Sequence, residues 1–429
     1  MAKSIQRCDF SAGQVIDGQY CVEGLLGEGA FGKVFRVKND QNTFALKILK
    51  LWEVDPQIRK ELQDRFVMEF ETGRIPSPYL VHAYKYGQIS GNPYIVMEYC
   101  PNGDLRQYFQ NSRADMVRIA SEVLFGLKDL HSQGKVHRDL KPENVLFKES
   151  WRVALTDFGI SGDRNKRMTE RNILGRPQQV FGTYAYMPPE QVNRERGNAT
   201  VLPTTDIFSF GVMMFHVFTG ALPFGPLNNF NDLAIYQKNA KDGNWDIAKL
   251  KRSVPVSSVW VKMITNCLKP DFRQRLSSVN EVLSFFPKSV LKEREDIKKP
   301  DIIFTRSSVG IAKGMSLRVM QGDDYGSVFY LRSLLKEKQH IITVGREDDN
   351  VLRMAESLTS YISRYHCTIE ANQDYSKWFL RDGQWSLSDK KWRSSLNGTY
   401  INSTEVTPGG IEIKAGDIIS MGDVKIRVE

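Results

Sequence analysis

From Tyr20 to Leu51 apolar and polar residues alternate, with glycines punctuating the run, a period of two that predicts antiparallel strands. The pattern then changes: helical spacing begins around Gln57 to Arg74 and resumes in long segments from Leu105 to Phe286. Strands first and helices afterwards predict an α+β architecture. Between Pro287 and Ile311 the chain is charged, carries Pro300 and ends in small polar residues, the composition of a linker. Beyond it Met315, Leu317 and Val319, then Val328 and Tyr330, and later Ile411 and Ile413, return to strand periodicity among Gly, Asn and Asp turns. This part is predicted to be an all-β sandwich. The organisation is therefore residues 1–286, a linker over 287–311, and a second domain over 312–429. No internal repeat is present.

The 429 residues are too many for one hydrophobic core, and 41% apolar with 25% charged residues excludes a disordered or fibrous chain. The most apolar window, Ile207 to Phe224, is shorter than a bilayer span and is interrupted by His216 and Thr219, so it predicts a buried core helix. Residues Met1 to Tyr20 hold no apolar run of signal-peptide length. Five widely spaced cysteines, an odd number, form neither a disulfide framework nor a metal-ligand spacing, which fits a reducing compartment. A soluble, cytoplasmic protein is expected.

The net charge of +9 raises the question of nucleic acid. From Ala312 to Glu429 there are 16 basic and 16 acidic residues, so the whole excess precedes that part. A local concentration of basic residues occurs at Arg164, Lys166, Arg167, Arg171 and Arg176, relieved only by Glu170. No aromatic-basic motif accompanies the cluster, and no nucleic-acid partner is expected.

Gly27-Glu28-Gly29-Ala30-Phe31-Gly32-Lys33-Val34 places three glycines where backbone amides can approach a phosphate without Cβ obstruction. A G-x-G-x-x-G that opens a helix is a dinucleotide fingerprint, but here strand-forming Val34-Phe35-Arg36-Val37 follows, and Ala45-Leu46-Lys47 lies on the next predicted strand. Alone, the run could equally be a glycine-rich hairpin with a surface lysine. His137-Arg138-Asp139-Leu140-Lys141-Pro142-Glu143-Asn144 and Asp157-Phe158-Gly159 follow in order, and with them the chain from about Val15 to Phe286 closely resembles the eukaryotic-type protein kinases. Lys141 and Pro142 resemble the serine/threonine branch. The resemblance implies a bilobal kinase fold.

It also implies roles. Asp139 orients and deprotonates a substrate hydroxyl, Lys141 reaches the transferring phosphate, Asn144 and Asp157 supply oxygen ligands to Mg²⁺, and Lys47 holds the phosphates of ATP while paired to a helix glutamate. Glu69, in Arg65-Phe66-Val67-Met68-Glu69, is the expected partner and Glu71 the runner-up, because the span to Ser77-Pro78 is one residue short of the usual spacing. Four residues on stands Gly73 in place of a large apolar residue, so this helix is expected to pack loosely in the inactive state. Tyr94 to Cys100 resembles the strand entering the hinge, with Met97 beside adenine and the backbones of Glu98 and Cys100 reading it. Val34, Ala45 and Leu146 are the expected apolar walls. The segment from Asp157 to Glu190 resembles an activation segment, with Pro188 in place of the usual alanine. Within it Thr169, amid the basic cluster, is the first candidate for autophosphorylation, its phosphate drawing in Arg138; Ser161 and Thr183 are competitors. Glu190 is expected to pair with Arg275, and Asp206 to anchor the catalytic loop.

In the strand-rich part, Gly345-Arg346, Ser363-Arg364-Tyr365-His366 and Asn397-Gly398-Thr399-Tyr400-Ile401-Asn402 together resemble a forkhead-associated (FHA) domain over about Met315 to Glu429. Such modules read phosphothreonine peptides through an arginine and a few loop donors. Arg346 and Ser363 are the expected phosphate contacts, Asn397 holds the peptide backbone, and Arg364 adds charge; His366 and Gly398 are structural. Leu396 stands where a Ser or Thr is common, and Arg381 to Ser395 make an unusually long connection. The combined expectation is a serine/threonine kinase using ATP and Mg²⁺, able to autophosphorylate, whose partners are protein substrates and phosphothreonine proteins, itself among them through Thr169 or Thr305. A catalytically silent scaffold that delivers the reader is the alternative.

Overall fold

The computed structural model describes residues 5–29, 31–40, 42–109, 116–158, 184–192, 200–254, 259–289, 314–336, 339–354, 361–386 and 388–429. Six strands, β1 (Val15–Ile16), β2 (Tyr20–Glu28), β3 (Gly32–Asn39), β4 (Asn42–Leu49), β5 (Ala83–Ile89) and β6 (Asn92–Glu98), form one antiparallel sheet in the order β1-β2-β3-β4-β6-β5. The alternation along β4 sorts its side chains. Leu46 and Ile48 join Val22, Val37 and Val96 on one face, while Ala45 and Leu49 join Leu62 and Phe66 of α1 (Pro56–Gly73) on the other. Lys47 shares the parity of Ala45 and so faces α1.

Asp55 caps α1 by accepting from the Gln57 amide, and Pro56 opens it with a fixed φ. The helix closes tightly on the sheet at Gly73. A Cβ at Gly73 would sit 2.7 Å from the Ala83 Cβ, so the missing side chain is what lets α1 approach β5.

Below the sheet lie α2 (Leu105–Phe109), α3 (Met116–Ser132), the hairpin β7 (Val145–Phe147) with β8 (Val153–Leu155), α4 (Pro189–Val192), α5 (Thr204–Thr219), α6 (Phe230–Asp242), α7 (Ile247–Ser253), α8 (Val259–Cys267) and α9 (Val279–Leu283). The apolar window begins inside α5, which is buried on nearly every side, as a helix hydrophobic all round must be. Gly211 admits α8, since a Cβ there would meet the Cys267 Cβ at 2.6 Å. Among the described residues no helix is long and apolar enough to cross a membrane.

The C-terminal strands build two sheets around one core of Leu317, Val344, Ile369, Leu380 and Ile426 among others. The first takes β9 (Ser316–Gln321), β10 (Val328–Tyr330), β17 (Thr399–Ile401), β18 (Thr404–Glu405), β20 (Ile418–Met421) and β21 (Val424–Val428); the second takes β11 (Ile341–Gly345), β12 (Leu352–Arg353), β13 (Cys367–Ala371), β14 (Trp378–Asp382) and β19 (Ile411–Ile413). The long connection after β14 is a further hairpin of β15 (Gln384–Ser386) and β16 (Lys391–Arg393). It is tied down by the Gln384 amide, which donates to Val344 O, Cys367 O and Asn350 Oδ1, and by Trp392 Nε1, which donates to Asp382 O. One short helix, α10 (Leu331–Leu334), interrupts the otherwise all-β part and was not expected.

The expected linker lies almost wholly outside the described residues. The two halves nevertheless touch directly. Leu202 and Phe272 of the helical body form a small apolar cluster with Tyr400 of the sandwich. Around it Lys135 Nζ donates to Met320 O (2.6 Å), Arg427 donates to Ser132 O (2.6 Å), and Arg273 pairs with Glu405 (3.4 Å).

Candidate active site

Lys47 is where the small sheet, α1 and the segment after β8 meet. Its Nζ donates to Glu69 Oε1 at 2.6 Å and to Asp157 Oδ1 at 2.5 Å. Glu69 is thereby the helix partner and Glu71 is not; burial of Leu62, Phe66 and Glu69 sets the rotation of α1. Burial opposes the charge on Lys47, but the Asp157 and Glu69 carboxylates outweigh it and hold the ammonium protonated well above its usual range. Burial pushes the Glu69 carboxyl up, against the pull of Lys47. Phe158 is buried edge-on to His137 (5.8 Å between centroids), and Asp157 itself takes a left-handed φ of 60°. A non-glycine residue held there costs about 1–3 kcal/mol, tolerated where the surrounding contacts over-determine it.

The catalytic-loop residues converge as expected. Asn144 Nδ2 donates to Asp139 O (2.7 Å) and Oδ2 (3.2 Å), and Lys141 Nζ lies 3.0 Å from the same Oδ2. Asp206, in the first turn of α5 and wholly buried, accepts from the amides of His137 and Arg138 at 2.8 Å each and from His131 Nε2 at 2.8 Å. Burial alone would push its carboxyl up; His131 and these amides bring it below its ordinary value. Glu190 and Arg275 form the expected bidentate pair at 2.8 and 3.1 Å.

The glycine hairpin spans β2 and β3, with Gly27 opposite Val34. A Cβ at Gly32 would press on Ile48 O at 3.0 Å, whereas Gly27 has open space. The Glu28 side chain is committed to Lys50 (2.9 Å). Gly29 donates its amide to Gly32 O, and Ala30 lies outside the described residues. The expected walls do come together: Phe31, Val34, Cys100 and Leu146 pack on one cluster with Ala45 and Met97. Ala154 belongs to the same cluster and sequence reading missed it, although its place just before Asp157 was the available signal. The Glu98 amide donates to His82 O (2.8 Å). Burial pushes the Cys100 thiol up to about 12, which disfavours the thiolate. Thr169, Ser161, Thr183 and Thr305 lie outside the described residues.

In the sandwich, Arg346, Ser363, Arg364 and Asn397 sit on three neighbouring loops. The Arg346 amide donates to Ser363 O (3.3 Å), and Ser363 Oγ accepts from the amide of Leu396, next to Asn397. Arg346 Nε is buried with no hydrogen-bond partner among the described residues, a donor whose desolvation is uncompensated. Asn397 Nδ2 donates to Tyr361 O at 2.6 Å, and Arg364 is exposed beside Glu347. Only glycine fits at 345, where a Cβ would lie 2.1 Å from Arg364 O. His366 is structural, as expected: its Nδ1 accepts from the Ser363 amide and its ring is fully buried, which pushes it down to about 4.

Residues 20–285 match the protein kinase domain and residues 342–422 match the FHA domain. The first match covers well over half of the chain, and the chain belongs to the protein kinase family. It is 29% identical over 218 residues to a probable serine/threonine-protein kinase, pknA2, of Bifidobacterium longum, a stretch that is 49% of this chain and 28% of that protein. It is 27% identical over 342 residues to mouse ribosomal protein S6 kinase alpha-3 (70% and 44%), and 32% identical over 228 residues to human ribosomal protein S6 kinase alpha-2 (50% and 29%). The chain thus spans less than half the length of these relatives. Membership of the family implies ATP and a divalent metal in general.

Proposed function

We propose that the chain is a serine/threonine protein kinase that transfers the γ-phosphate of ATP to protein hydroxyls, with Mg²⁺ as the metal, and that its FHA domain recruits phosphothreonine proteins, its own phosphorylated copies included. The observation that carries the reading is Lys47 bridged to both Glu69 and Asp157 beside a loop that clusters Asp139, Lys141 and Asn144. The donor set suits Mg²⁺: Asp157 contributes carboxylate oxygens, and Asn144, its NH₂ committed to Asp139, offers its carbonyl oxygen. A bound Mg²⁺ supplies charge neutralisation at the phosphates.

Asp139 accepts the hydrogen bond of the incoming hydroxyl and orients it, while Lys141, already 3.0 Å from that carboxylate, faces the charge that develops during transfer. Lys47 binds phosphate oxygens, and Glu69 keeps its ammonium aimed into the cleft. Phe31, Val34, Ala45, Met97 and Leu146 enclose the base, and the carbonyl of Glu98 with the backbone of Cys100 reads its edge. Thr169 is the favoured autophosphorylation site and a ligand for the reader. Residues 1–286, 287–311 and 312–429 serve as kinase, tether and reader. The five cysteines, all free thiols, support a cytoplasmic setting.

The test is label transfer from γ-labelled ATP with Mg²⁺ to the protein and to an added acceptor, beside Asp139→Asn, followed by site mapping. Labelling that disappears in the variant is the expected result; a wild-type protein that transfers nothing would leave the scaffold. For the reader, calorimetry should show phosphothreonine-peptide binding lost in Arg346→Ala while phosphotransfer persists.

A further inference from the structure

The turn between β20 and β21, Gly422-Asp423, packs against the helical body, with Gly422 buried and the Asp423 side chain 23% exposed. It lies on the catalytic loop of the kinase. Arg138, the residue before Asp139, is 6% exposed and holds a left-handed φ of 68°, and its Nη2 is 3.7 Å from Asp423 Oδ1. The turn is fixed there on both sides: the Gly422 amide donates to Thr200 Oγ1 (3.0 Å), the Val201 amide donates to Gly422 O (3.1 Å), and Lys425 donates to Val201 O. Burial and the Arg138 charge push the Lys425 ammonium down to about 7, and Asp423 opposes both. A guanidinium taken out of water is stabilised by a nearby anion, and Asp423 places a carboxylate at ion-pair distance, 3.7 Å, across the domain seam.

We propose that Asp423 of the sandwich is a positioning residue for phosphoryl transfer: it holds Arg138, and through Arg138 the backbone of Asp139, so the docked reader completes the catalytic loop. The inference rests on the kinase reading above and deepens it. The same turn also touches the phosphothreonine loops. Asn397 Nδ2 donates to Tyr361 O (2.6 Å), Tyr361 lies against Gly422 so closely that a Cβ there would be 2.8 Å from its Cβ, and Thr200 Oγ1 donates to Asn397 O (2.9 Å). Asn397 is buried and binds Tyr361 and Thr200, both in contact with the turn that carries Asp423, so the reader loops and this turn form one packed unit.

The experiment uses the full chain, γ-labelled ATP with Mg²⁺, and a threonine-containing acceptor protein. Asp423→Asn is expected to lower kcat about tenfold, the scale of a typical coupling, with the KM for ATP within about twofold. Asp423→Glu restores at least half of the loss. Glu405→Gln, at the rim of the same seam, leaves kcat at the wild-type value. Should Asp423→Asn fail to fold, Asp423→Ser removes the charge with a smaller group and gives the same loss. Wild-type kcat in the charge-removing variant, no rescue by glutamate, or an equal loss in Glu405→Gln each overturns the positioning role while leaving the kinase reading intact. Absence of transfer from the wild-type protein overturns both.

Discussion

Two buried residues define how this molecule handles charge. Lys47 keeps its proton because two carboxylates lie within 2.6 Å, and removing the ammonium leaves Glu69 buried and unpaired. Lys47→Met is therefore expected to lower kcat/KM by about 10²–10³-fold, the scale for loss of one preorganised charge contact, measured by steady-state label transfer. His366 is the opposite case, a ring kept neutral. Because it takes up its proton near 4 when folded and at 6.5 when unfolded, it contributes stability that is complete above 6.5 and lost as pH falls toward 4. The total is about 3 kcal/mol. Its ring resonances in selectively labelled protein should hold their neutral positions down to pH 5; a midpoint near 6.5 would contradict the buried imidazole.

At the scale of elements, glycine and ion pairing set distances that propensity does not. Gly73 brings α1 onto β5, so Gly73→Leu overpacks a contact where even a Cβ lies 2.7 Å from Ala83. A loss of about 1–3 kcal/mol in urea unfolding is expected, with reduced kcat as Glu69 is displaced from Lys47. Arg275 ties α4 to the loop before α9 by pairing with Glu190, whose side chain is only 8% exposed. Arg275→Met strands that carboxylate and should cost about 3–5 kcal/mol in the same measurement. The hairpin β15–β16 belongs here too. It turns a connection that looks like an unusually long loop into a strand pair held by Gln384 and Trp392.

At the scale of the whole molecule, the seam between kinase and sandwich combines an apolar cluster, ion pairs and a buried lysine. Scanning calorimetry is expected to show one cooperative transition. Phe272→Ala removes the ring that meets Tyr400, should cost about 3 kcal/mol, and separates the two transitions. Two well-resolved transitions in the unmodified protein would mean that the seam contributes little.

The local chemistry was legible in the amino-acid order because phosphate handling demands particular groups at short spacings. The glycine run, Lys47, the string from His137 to Asn144, and Asp157 each had to sit on one strand or loop, and the structure gathers them. Strand alternation likewise revealed both β-rich parts, since burial on one face imposes a period of two. The choice of Glu69 over Glu71 was not legible, because it depends on how far α1 rotates when Leu62 and Phe66 are buried. Nor was the close approach at Gly73, a consequence of what lies opposite. Asp423 carried no signal at all. An aspartate in a two-residue turn reads as solvent-facing, and only the docking of the sandwich, 285 positions along the chain from Arg138, brings its carboxylate to 3.7 Å from the guanidinium. Short-range order determined which reactive groups this protein has; long-range packing decided which of them meet, because a contact between distant segments is set by the shapes of both surfaces and is written in neither one alone.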